Sequence, residues 1–510
     1  MFNKPLSKLL DELLGELPHL QLISGDEATI ITHITQDSRN IMAGGLFVAI
    51  KGELHNGEDY INEAIKRNAS AILVAQDYDI ADLRDINIAI LTHPNPRLAL
   101  SLIAEAFYQP QPTHKIAITG TDGKTSTAEF TRQLWELCGN NAISIGTLGL
   151  KSARIIDNLP TLSDNTSPEP ARFYETLSEC AKQNIQHVVV EASSIGIEQH
   201  RLAGFAPNVA IFTSFSQDHL DYHGTMEEYF QAKAALFTQL LPQNETAILC
   251  TDYAPVRQLA EKLRLQHKNV ITYGDANIEN CSKPDLSINS IELSAQGQIV
   301  NFNYQRQDFS IAAPLYGDFQ AYNLLAASLA IATDLQLSLE DILQHWQHIT
   351  PIKGRLQLVQ KTIETNNKLI FVANLIFVDY AHTAGALEKA LKTLRPYATN
   401  KLHILFGCGG DRDALKRPQM GLVAHNFADI ITITDDNPRT ENASAIRASI
   451  KATCPNAVEI ACRAQAIKHA ISQLTTGDVL LIAGKGHEDY QIIGTTKHPF
   501  DDAMEAQKYL

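Results

Sequence analysis

A glycine-rich loop between a predicted strand and a predicted helix carries the residues best suited to chemistry. Its members are Gly120, Thr121, Asp122, Gly123, Lys124 and Thr125, and Ser126 follows them. At such a turn backbone N–H groups can face phosphate oxygens, a lysine can neutralise the β- and γ-phosphates, and a threonine hydroxyl can ligate Mg²⁺. We therefore interpret the loop as the phosphate site for ATP. The general pattern has glycine where Ile118 stands, so an ordinary strand-turn-helix connection is the alternative.

Acidic and histidine side chains follow two other predicted strands of this region. Glu191 ends the apolar run 188–190, and the loop 216–224 contains Asp218 and His219. Oxygen ligands beside a phosphate loop favour Mg²⁺, and the lack of a thiolate or an H-x-x-x-H helix in these segments disfavours zinc. A strand that merely ends in glutamate and a solvated loop are the alternatives.

Polar loops also follow four predicted strands in the last third of the chain. The strand 369–379 ends in Asp379, and the other loops are 407–412, 435–439 and 484–488. In a parallel sheet these loops would face one crevice, where ligands bind in such folds. A purely structural role for this region is therefore improbable.

The elements that must position these groups predict an α/β fold with three domains. We place a small N-terminal α/β domain at 1–97, a central P-loop ATPase-like domain with a mostly parallel sheet at 98–347, and a C-terminal Rossmann-like domain at 348–510. Two prolines at 92–96 predict a linker between the first two domains. Alternating residues at 286–314 predict an antiparallel hairpin at one edge of the central sheet.

Composition narrows the class of protein. The 510 residues are 45% hydrophobic and 19% charged, which is typical of a folded chain, and the formal net charge of −15 disfavours binding to nucleic acid. Asp11 and Glu12 interrupt any signal-peptide pattern, and no apolar run suggests membrane insertion. The seven cysteines are scattered, so we expect a reducing, cytoplasmic location, and we expect a monomer.

These segments, in this order, resemble the Mur ligase family of peptidoglycan synthesis over essentially the whole chain. Within it, the resemblance points to the branch that adds meso-diaminopimelate to UDP-N-acetylmuramoyl-L-alanyl-D-glutamate. The matching segments are 120–126, 165–168, 191–201, 219–224, Lys233, 316–323, Gly354, Arg355, 379–382, 407–418, 436–439 and 484–488.

The resemblance implies roles for individual residues. ATP and Mg²⁺ would be served by Lys124 and Thr125, with Glu191 and His219 near the metal ions. From the residues alone Lys233 reads as a surface lysine, whereas the resemblance implies a carbamylated lysine that ligates a second Mg²⁺. The family pattern also assigns Asn323, Arg355 and Asp379 to the nucleotide, the last two after domain closure; Ser38, Glu53, Leu54 and His55 to uridine; and Asn165, Thr166, Ser167, Ser193, Gln199 and Arg201 to the muramoyl peptide.

The amino-acid specificity follows from the resemblance and from one physical argument. Meso-diaminopimelate differs from lysine by one carboxylate, which a guanidinium can hold in a bidentate contact. Arg439 matches the diaminopimelate type. The resemblance completes the pocket with Arg412, Asp436, Asn437, Pro438, Gly484 and Glu488.

The sequence departs from the family pattern at several positions and leaves other functions open. The departures are Asp122, Ile195, Gln320, Leu356 and Gln357. An L-lysine-adding ligase and a folylpolyglutamate-type ligase are alternatives within the superfamily, and the Ser38 region disfavours the second. A nucleotide-binding regulatory protein without catalysis is the alternative from another class.

Overall fold

The computed structural model describes residues 2–52, 55–83, 86–163, 165–279, 281–294, 297–359, 362–365, 368–371 and 374–510. The chain divides into two compact units. The first comprises Met1–Asn289, Phe302–Phe309 and Tyr322–His345, and the second comprises Ser290–Asn301, Ser310–Ala321 and Trp346–Leu510.

A five-stranded sheet forms the N-terminal part of the first unit. Its strand order is β2-β7-β6-β5-β4, in which β4 to β7 are parallel and β2 is antiparallel to β7. The elements are β1 (Lys4–Pro5), α1 (Leu6–Leu13), β2 (Gln21–Ser24), β3 (Ile30–Ile31), β4 (His33–Thr35), β5 (Gly45–Val48), α2 (Ile61–Lys66), β6 (Ala71–Ala75), β7 (Ala89–His93) and α3 (Pro96–Phe107), with 3-10 helices at Ser38–Asn40, Gly57–Tyr60 and Ala81–Leu83.

At the predicted linker 92–96, only residues 94 and 95 lie outside a strand or helix, and its place as a domain boundary stays a prediction. Strand β7 runs to His93, and α3 begins at Pro96 after the Asn95 side chain accepts a hydrogen bond from Leu98 N at 3.2 Å. Proline is tolerated in the first turn of a helix because its missing N–H has no partner there, and asparagine is a favoured N-cap. The two prolines therefore mark a helix start.

The central sheet is mostly parallel, as predicted. Its strand order is β10-β9-β11-β8-β12-β13-β14-β15-β16-β17. In this order all neighbours from β9 across the sheet to β15 are parallel, and β10 is antiparallel to β9. The elements are β8 (His114–Thr119), α4 (Lys124–Leu137), β9 (Ala142–Gly146), β10 (Gly149–Lys151), α5 (Pro170–Lys182), β11 (His187–Glu191), α6 (Ser194–Glu198), β12 (Val209–Phe212), α7 (Leu220–His223), α8 (Met226–Ala235), a π-helix (Leu236–Leu240), β13 (Thr246–Cys250), α9 (Ala254–Leu265), β14 (Asn269–Asp275), β15 (Leu286–Ser294), β16 (Gly297–Tyr304), β17 (Gln307–Ala313), α10 (Asp318–Leu335) and α11 (Leu339–Leu343).

One hydrophobic cluster joins the N-terminal part to the central sheet. It contains Leu6 and Leu9 of α1 and Val48 of β5 together with Ala117 of β8 and Val190 of β11. Burial of apolar area contributes roughly 25 cal/mol per Å² to stability, so a shared cluster of this kind holds the two parts together. Within the described ranges, no helix is both long and apolar enough to cross a bilayer.

The second unit contains a six-stranded sheet of order β18-β21-β25-β22-β23-β24, parallel except for β18. The predicted strand 369–379 is instead two strands in different sheets, β20 and β21, and the polar Asn374 directly before β21 was the signal that could have found the break. The elements are a 3-10 helix (Trp346–His348), β18 (Gln357–Val359), β19 (Thr362–Thr365), β20 (Lys368–Phe371), β21 (Leu375–Asp379), α12 (Ala384–Leu394), a 3-10 helix (Arg395–Tyr397), β22 (Leu402–Phe406), α13 (Lys416–Phe427), β23 (Ile430–Ile433), α14 (Ala443–Lys451), β24 (Val458–Glu459), α15 (Arg463–Ser472), β25 (Val479–Ala483), β26 (Tyr490–Ile493), β27 (Thr496–Pro499) and α16 (Asp502–Gln507).

A buried ion pair supports the carboxyl ends of this sheet. Arg463 and Asp502 are fully enclosed and form two hydrogen bonds of 2.7 Å, and the same guanidinium donates to the carbonyl oxygens of Ala483 at 3.0 Å and Asp435 at 3.4 Å. The guanidinium therefore holds the residues that end β25 and follow β23 in fixed relation.

Candidate active site

The phosphate loop adopts a backbone that requires glycine at two positions. Gly120 has φ 147° and Gly123, the N-cap of α4, has φ 87°. A side chain at Gly120 would collide with Thr213, and one at Gly123 would collide with the amide of Asn323. The structure thus brings Asn323, predicted from the resemblance to bind the nucleotide, directly against the loop.

Two residues after β12 fix the shape of the loop. Ser214 accepts from Thr121 N through its carbonyl and from Asp122 N through its hydroxyl, each at 2.8 Å, and the Thr213 hydroxyl donates to the Asp122 carbonyl at 2.6 Å. Sequence reasoning missed Thr213 and Ser214. Their position directly after a predicted buried strand of the same sheet was the signal that could have found them.

Two lysines converge on one carbonyl oxygen. Lys124 Nζ donates to Gly120 O at 2.9 Å and to Thr121 O at 2.8 Å, and Lys233 Nζ donates to Gly120 O at 2.8 Å. Lys233 is 1% exposed and its ammonium lies 4.4 Å from the centre of the Tyr229 ring. The interpretation of Lys233 as a surface lysine is therefore wrong. Lys233 lies on the buried face of α8 with Tyr229 and Phe230, whereas Gln231 of the same helix is exposed.

Burial is the main reason why the pKa of Lys233 lies well below its usual value, and the nearby Lys124 lowers it further. Asp218 and Asp122 act in the opposite direction. A neutral amine is therefore much more accessible at this position than at a surface lysine.

Glu191 is the centre of a second set of contacts on the loop. Its carboxylate accepts from the Thr125 hydroxyl at 3.0 Å, from Thr147 N at 2.8 Å and from the Thr147 hydroxyl at 3.2 Å. Thr147, which follows the short strand β9, was not predicted. The hydroxyl and carboxylate oxygens of Thr125 and Glu191 are hard donors that suit Mg²⁺, so this pair fits the metal that the resemblance implies.

His219 lies beside Tyr229, next to this site. It caps α7 with φ 50°, its ring edge faces Tyr229 at 6.3 Å, and its side chain is half exposed. Tyr229 in turn contacts Thr121 at 3.2 Å through its hydroxyl. Ser126 is buried in the first turn of α4.

The residues predicted for the muramoyl peptide form a network that reaches Glu191. The Ser167 hydroxyl donates to Glu191 O at 2.8 Å and lies 3.1 Å from the Ser193 hydroxyl, and Arg201 donates to Ser167 O at 2.9 Å. Arg201 also donates to Gln199 at 2.8 Å. Two further members make contacts of their own: the Thr166 hydroxyl lies 3.2 Å from the Thr147 hydroxyl, and Asn165 donates to Ser163 at 3.3 Å.

The residues predicted for uridine flank α2. The Ser38 hydroxyl is buried and donates to Glu63 at 2.8 Å, and His55 lies 3.4 Å from the Tyr60 hydroxyl just before the helix. Glu53 and Leu54, the other two predicted members, lie outside the described residues. The assignment of this set to uridine stays a prediction.

In the second unit, Asp379 and Arg355 lie close together at the end of β21. The Asp379 carboxylate accepts from Leu356 N and Ala381 N, each at 2.8 Å. Burial raises its pKa, while Arg355 and the two backbone N–H groups oppose that shift. Gln320, one of the departures from the family pattern, donates to Arg355 O at 3.2 Å.

The loops after β23 and β25 meet, as predicted for a parallel sheet. Asn437 donates to Glu488 at 2.8 Å, and a side chain added at Gly484 would lie 3.4 Å from the Asp436 carboxylate. Lys485 joins them: its fully enclosed ammonium lies 3.1 Å from Glu488, 3.3 Å from Asn437 Oδ1 and 3.7 Å from Asp436. Lys485 belongs to the predicted loop 484–488, but the sequence indicated no role for it.

Arg439 and Arg412 lie where the loop after β22 meets the loop after β23. Arg439 has φ 51° and donates to Gly410 O at 2.7 Å, while Gly410 N donates to Asn437 O at 2.9 Å. Pro438 is buried, and its carbonyl leaves no room for a side chain at Gly410. Arg412 is exposed beside this contact. The structure therefore brings together all the residues predicted for the amino-acid pocket.

A phosphate loop at the carboxyl edge of one parallel sheet, and charged loops at the carboxyl edge of a second sheet, define a nucleotide-dependent ligase of the Mur type. Three family models match in chain order: the Mur ligase family, catalytic domain at 30–108; the Mur ligase middle domain at 118–331; and the Mur ligase, glutamate ligase domain at 354–486. The chain belongs to the Mur ligase family. The first match extends past the boundary we placed at residue 97, and the three-domain boundaries stay a prediction.

Three individual relatives share one description. The chain is 37% identical to a UDP-N-acetylmuramoyl-L-alanyl-D-glutamate--2,6-diaminopimelate ligase of Chelativorans sp. (strain BNC1), covering 98% of this chain and 99% of the relative. It is 39% identical to a ligase of the same description from Brucella melitensis biotype 1, covering 95% of each. A solved structure of such a ligase matches with TM-score 0.68 and 30% identity over 96% of each chain.

Substituting Gly123 with alanine is expected to weaken ATP binding by about tenfold or more, because the loop must shift away from Asn323 and leave its left-handed conformation. Calorimetric titration with ATP and Mg²⁺ measures the affinity. Gly139→Ala is the matched control: Gly139 also has a positive φ, at the other end of α4, but nothing lies within 4 Å of an added Cβ. Equal ATP affinity in the Gly123→Ala variant and the parent would contradict the assignment of this loop.

Proposed function

We propose that the chain joins meso-diaminopimelate to the D-glutamate carboxylate of UDP-N-acetylmuramoyl-L-alanyl-D-glutamate at the expense of ATP, as a step of peptidoglycan synthesis. The observation that carries this proposal is the arrangement at the phosphate loop, where Lys124 and Lys233 share the Gly120 carbonyl and Thr125 donates to Glu191. The names of the relatives described above agree with it.

The chemistry proceeds through an acyl phosphate. A glutamate carboxylate oxygen attacks the γ-phosphorus, the bond to the β-phosphate oxygen breaks, and ADP leaves with that electron pair. The amine of diaminopimelate then attacks the acyl carbon, phosphate leaves from the tetrahedral intermediate, and the nitrogen loses a proton. Lys124 and the N–H groups at the start of α4 offset charge on the phosphate oxygens. Mg²⁺ held by Thr125 and Glu191 would supply further positive charge there.

The contacts of the first unit suit the carboxylate-bearing end of the substrate. Ser167, Ser193 and Arg201 belong to the network that reaches Glu191 through its backbone carbonyl. A carboxylate bound among these hydroxyl and guanidinium groups lies on the sheet edge that also carries the phosphate loop. This placement lets one substrate oxygen approach the γ-phosphate without movement of the sheet.

The second unit supplies groups of both signs for the amino acid. Arg439 and Arg412 can hold the distal carboxylate of diaminopimelate, and Glu488 and Asp436 can hold the distal ammonium. L-Lysine lacks that carboxylate, so its binding would leave the guanidinium groups without their partner.

Other functions are less well supported. A folylpolyglutamate-type ligase does not account for the N-terminal match at 30–108 or for the names of the relatives. A regulatory protein that binds ATP without turnover does not account for the retention of Lys124, Glu191, His219 and Lys233 together. We also infer a cytoplasmic location, because all seven cysteines are free thiols, which suits a reducing compartment.

We further propose that Lys233 is carbamylated. Its lowered pKa favours the neutral amine, whose lone pair attacks the carbon of CO₂; a C–N bond forms and the nitrogen releases one proton to solvent. The product is an anion beside the part-buried Lys124 ammonium, so it removes the repulsion between Lys124 and the buried Lys233. Such an anion could ligate a metal ion, which the unmodified ammonium cannot.

The parent protein should release ADP only when both the UDP-dipeptide and meso-diaminopimelate are present, and L-lysine should be roughly a hundredfold poorer or worse as acceptor. In Arg439→Ala, kcat/KM for meso-diaminopimelate should fall by about 10- to 100-fold with little change for lysine, because one charged contact to the carboxylate is lost. A coupled ADP assay measures both.

Arg395→Ala serves as the control for this comparison, since Arg395 pairs with Asp429 outside the predicted pocket. A parent that prefers lysine would overturn the specificity. ATP binding without turnover under either amino acid would favour the regulatory alternative.

Carbamylation should appear as a carbamate carbon signal in the ¹³C NMR spectrum of protein equilibrated with ¹³C-bicarbonate, and the signal should be absent from Lys233→Met. Its intensity should rise with pH until the amine is fully neutral, because only the neutral amine reacts. Lys115→Met is the control: burial also lowers the pKa of Lys115, and this variant should keep the signal. A signal that persists in Lys233→Met would refute the assignment.

Replacing Lys485 with methionine should raise KM for meso-diaminopimelate by about tenfold or more and leave KM for ATP unchanged. The reason is that Glu488 and Asp436 would face each other without the ammonium between them, and Asn437 would lose a donor. Steady-state kinetics with each substrate varied in turn measures the split.

Two further variants test the cause. Lys485→Arg keeps the positive charge beside Glu488 and should lose less affinity than Lys485→Met if charge balance is the reason. Lys451→Met, at a half-exposed lysine of the same unit, should change neither constant. An equal rise of both KM values would indicate general damage and count against a positioning role.

A further inference from the structure

A second cluster of metal-ligating side chains lies at the opposite edge of the central sheet. His114 begins β8, His187 begins β11, and Asp334 lies near the end of α10. One ligand atom from each residue lies within 4.8 Å of the others. None of the roles proposed above for ATP, substrate or Mg²⁺ involves these residues.

The contacts around the cluster resemble the support that metal ligands receive. Asp334 faces His114 Nδ1 through both oxygens, at 3.0 and 3.1 Å, and the Trp135 indole donates to Asp334 Oδ2 at 2.9 Å. The Trp135 ring also lies edge-on to the His187 ring, with 5.3 Å between the ring centres. The two imidazole rings stack at 4.3 Å with an angle of 15° between their planes.

We propose that His114, His187 and Asp334 form a binding site for a late first-row divalent ion such as Zn²⁺. Two imidazoles and one carboxylate are a donor set that zinc takes, whereas Mg²⁺ prefers oxygen alone. The indole donates to Asp334 and so supplies an outer hydrogen bond of the kind that fixes metal ligands. Asp334 is buried but the His114 side chain is 37% exposed, so an ion can enter from solvent and keep a fourth position for water.

One nitrogen of each ring lies within 4.8 Å of the other and of an Asp334 oxygen. Stacked rings direct their nitrogens in parallel. Binding of one ion therefore requires a turn of the more exposed His114 ring out of the stack.

The position of the cluster gives the site a structural consequence. The strand that His114 begins ends at the phosphate loop, the strand that His187 begins ends at Glu191, and the helix of Asp334 also carries Asn323. Trp135 lies on α4, which starts at Lys124. An ion in the cluster would tie together the far ends of the four elements that hold the nucleotide site, about 20 Å away along β8.

Zinc binding can be measured on tag-free parent protein by competition with a chromophoric zinc chelator, in the presence of excess Mg²⁺ to occupy the oxygen site. We expect one zinc per chain that is lost, or bound at least about tenfold more weakly, in His187→Phe and in Asp334→Asn. Phenylalanine keeps the ring stack and asparagine keeps an acceptor for Trp135, so both variants should fold. The affinity should fall as the pH is lowered, because protonated imidazole does not ligate.

Thermal unfolding supplies the second readout and requires no ligase activity. Zinc should raise the melting temperature of the parent and not of the two variants, while all three should melt alike without metal. His425→Ala, at a histidine outside the cluster, should bind zinc as the parent does. Zinc binding that is unchanged in both cluster variants, or absent from the parent, would overturn the proposal and leave an ordinary histidine-aspartate pair.

Discussion

The Gly120 carbonyl is the point on which the nucleotide site depends. Lys124 and Lys233 both donate to this one oxygen, so a part-buried and a fully buried lysine meet where phosphate is expected. Such an arrangement is costly without an anion, because buried like charges repel and are poorly solvated. The depressed pKa of Lys233 is the visible sign of that cost. The phosphates of ATP, the carboxylates that ligate Mg²⁺ and a carbamate on Lys233 are alternative sources of the missing negative charge.

The sequence predicted the central strands best. The strand ends predicted at Glu191 and Asp379 agree with the ends of β11 and β21, because strands buried on both faces are short apolar runs between polar loops. The bounds of strands and helices were harder to predict where the residue pattern was uniform or fitted more than one structure. The largely apolar run 369–379 contains the end of one strand and the start of another, with only Asn374 to mark the break, and the prolines at 92–96 suit a helix start as well as a linker.

The site was predictable as a set of strand ends and unpredictable as a set of contacts. Parallel strands bring their carboxyl ends to one edge, which is why Glu191, Asp379 and the loop of Arg439 were found. Thr213 and Thr147 also follow strands, but threonine is common in such places and carries no distinctive chemistry by itself. Lys233 needed the tertiary structure, because helical spacing says nothing about which elements cover a helix from outside.

The hydrophobic cluster shared by the N-terminal part and the central sheet has a consequence for substrate choice. Leu6 and Val48 pack in one core with Ala117 and Val190, so Ser38 and Glu191 belong to a single body. A substrate anchored at both places must match a fixed span between its nucleotide and its carboxylate. Under the proposed function the first unit therefore selects its substrate by length, and it rejects a shortened or lengthened peptide whatever the side chains of that peptide are.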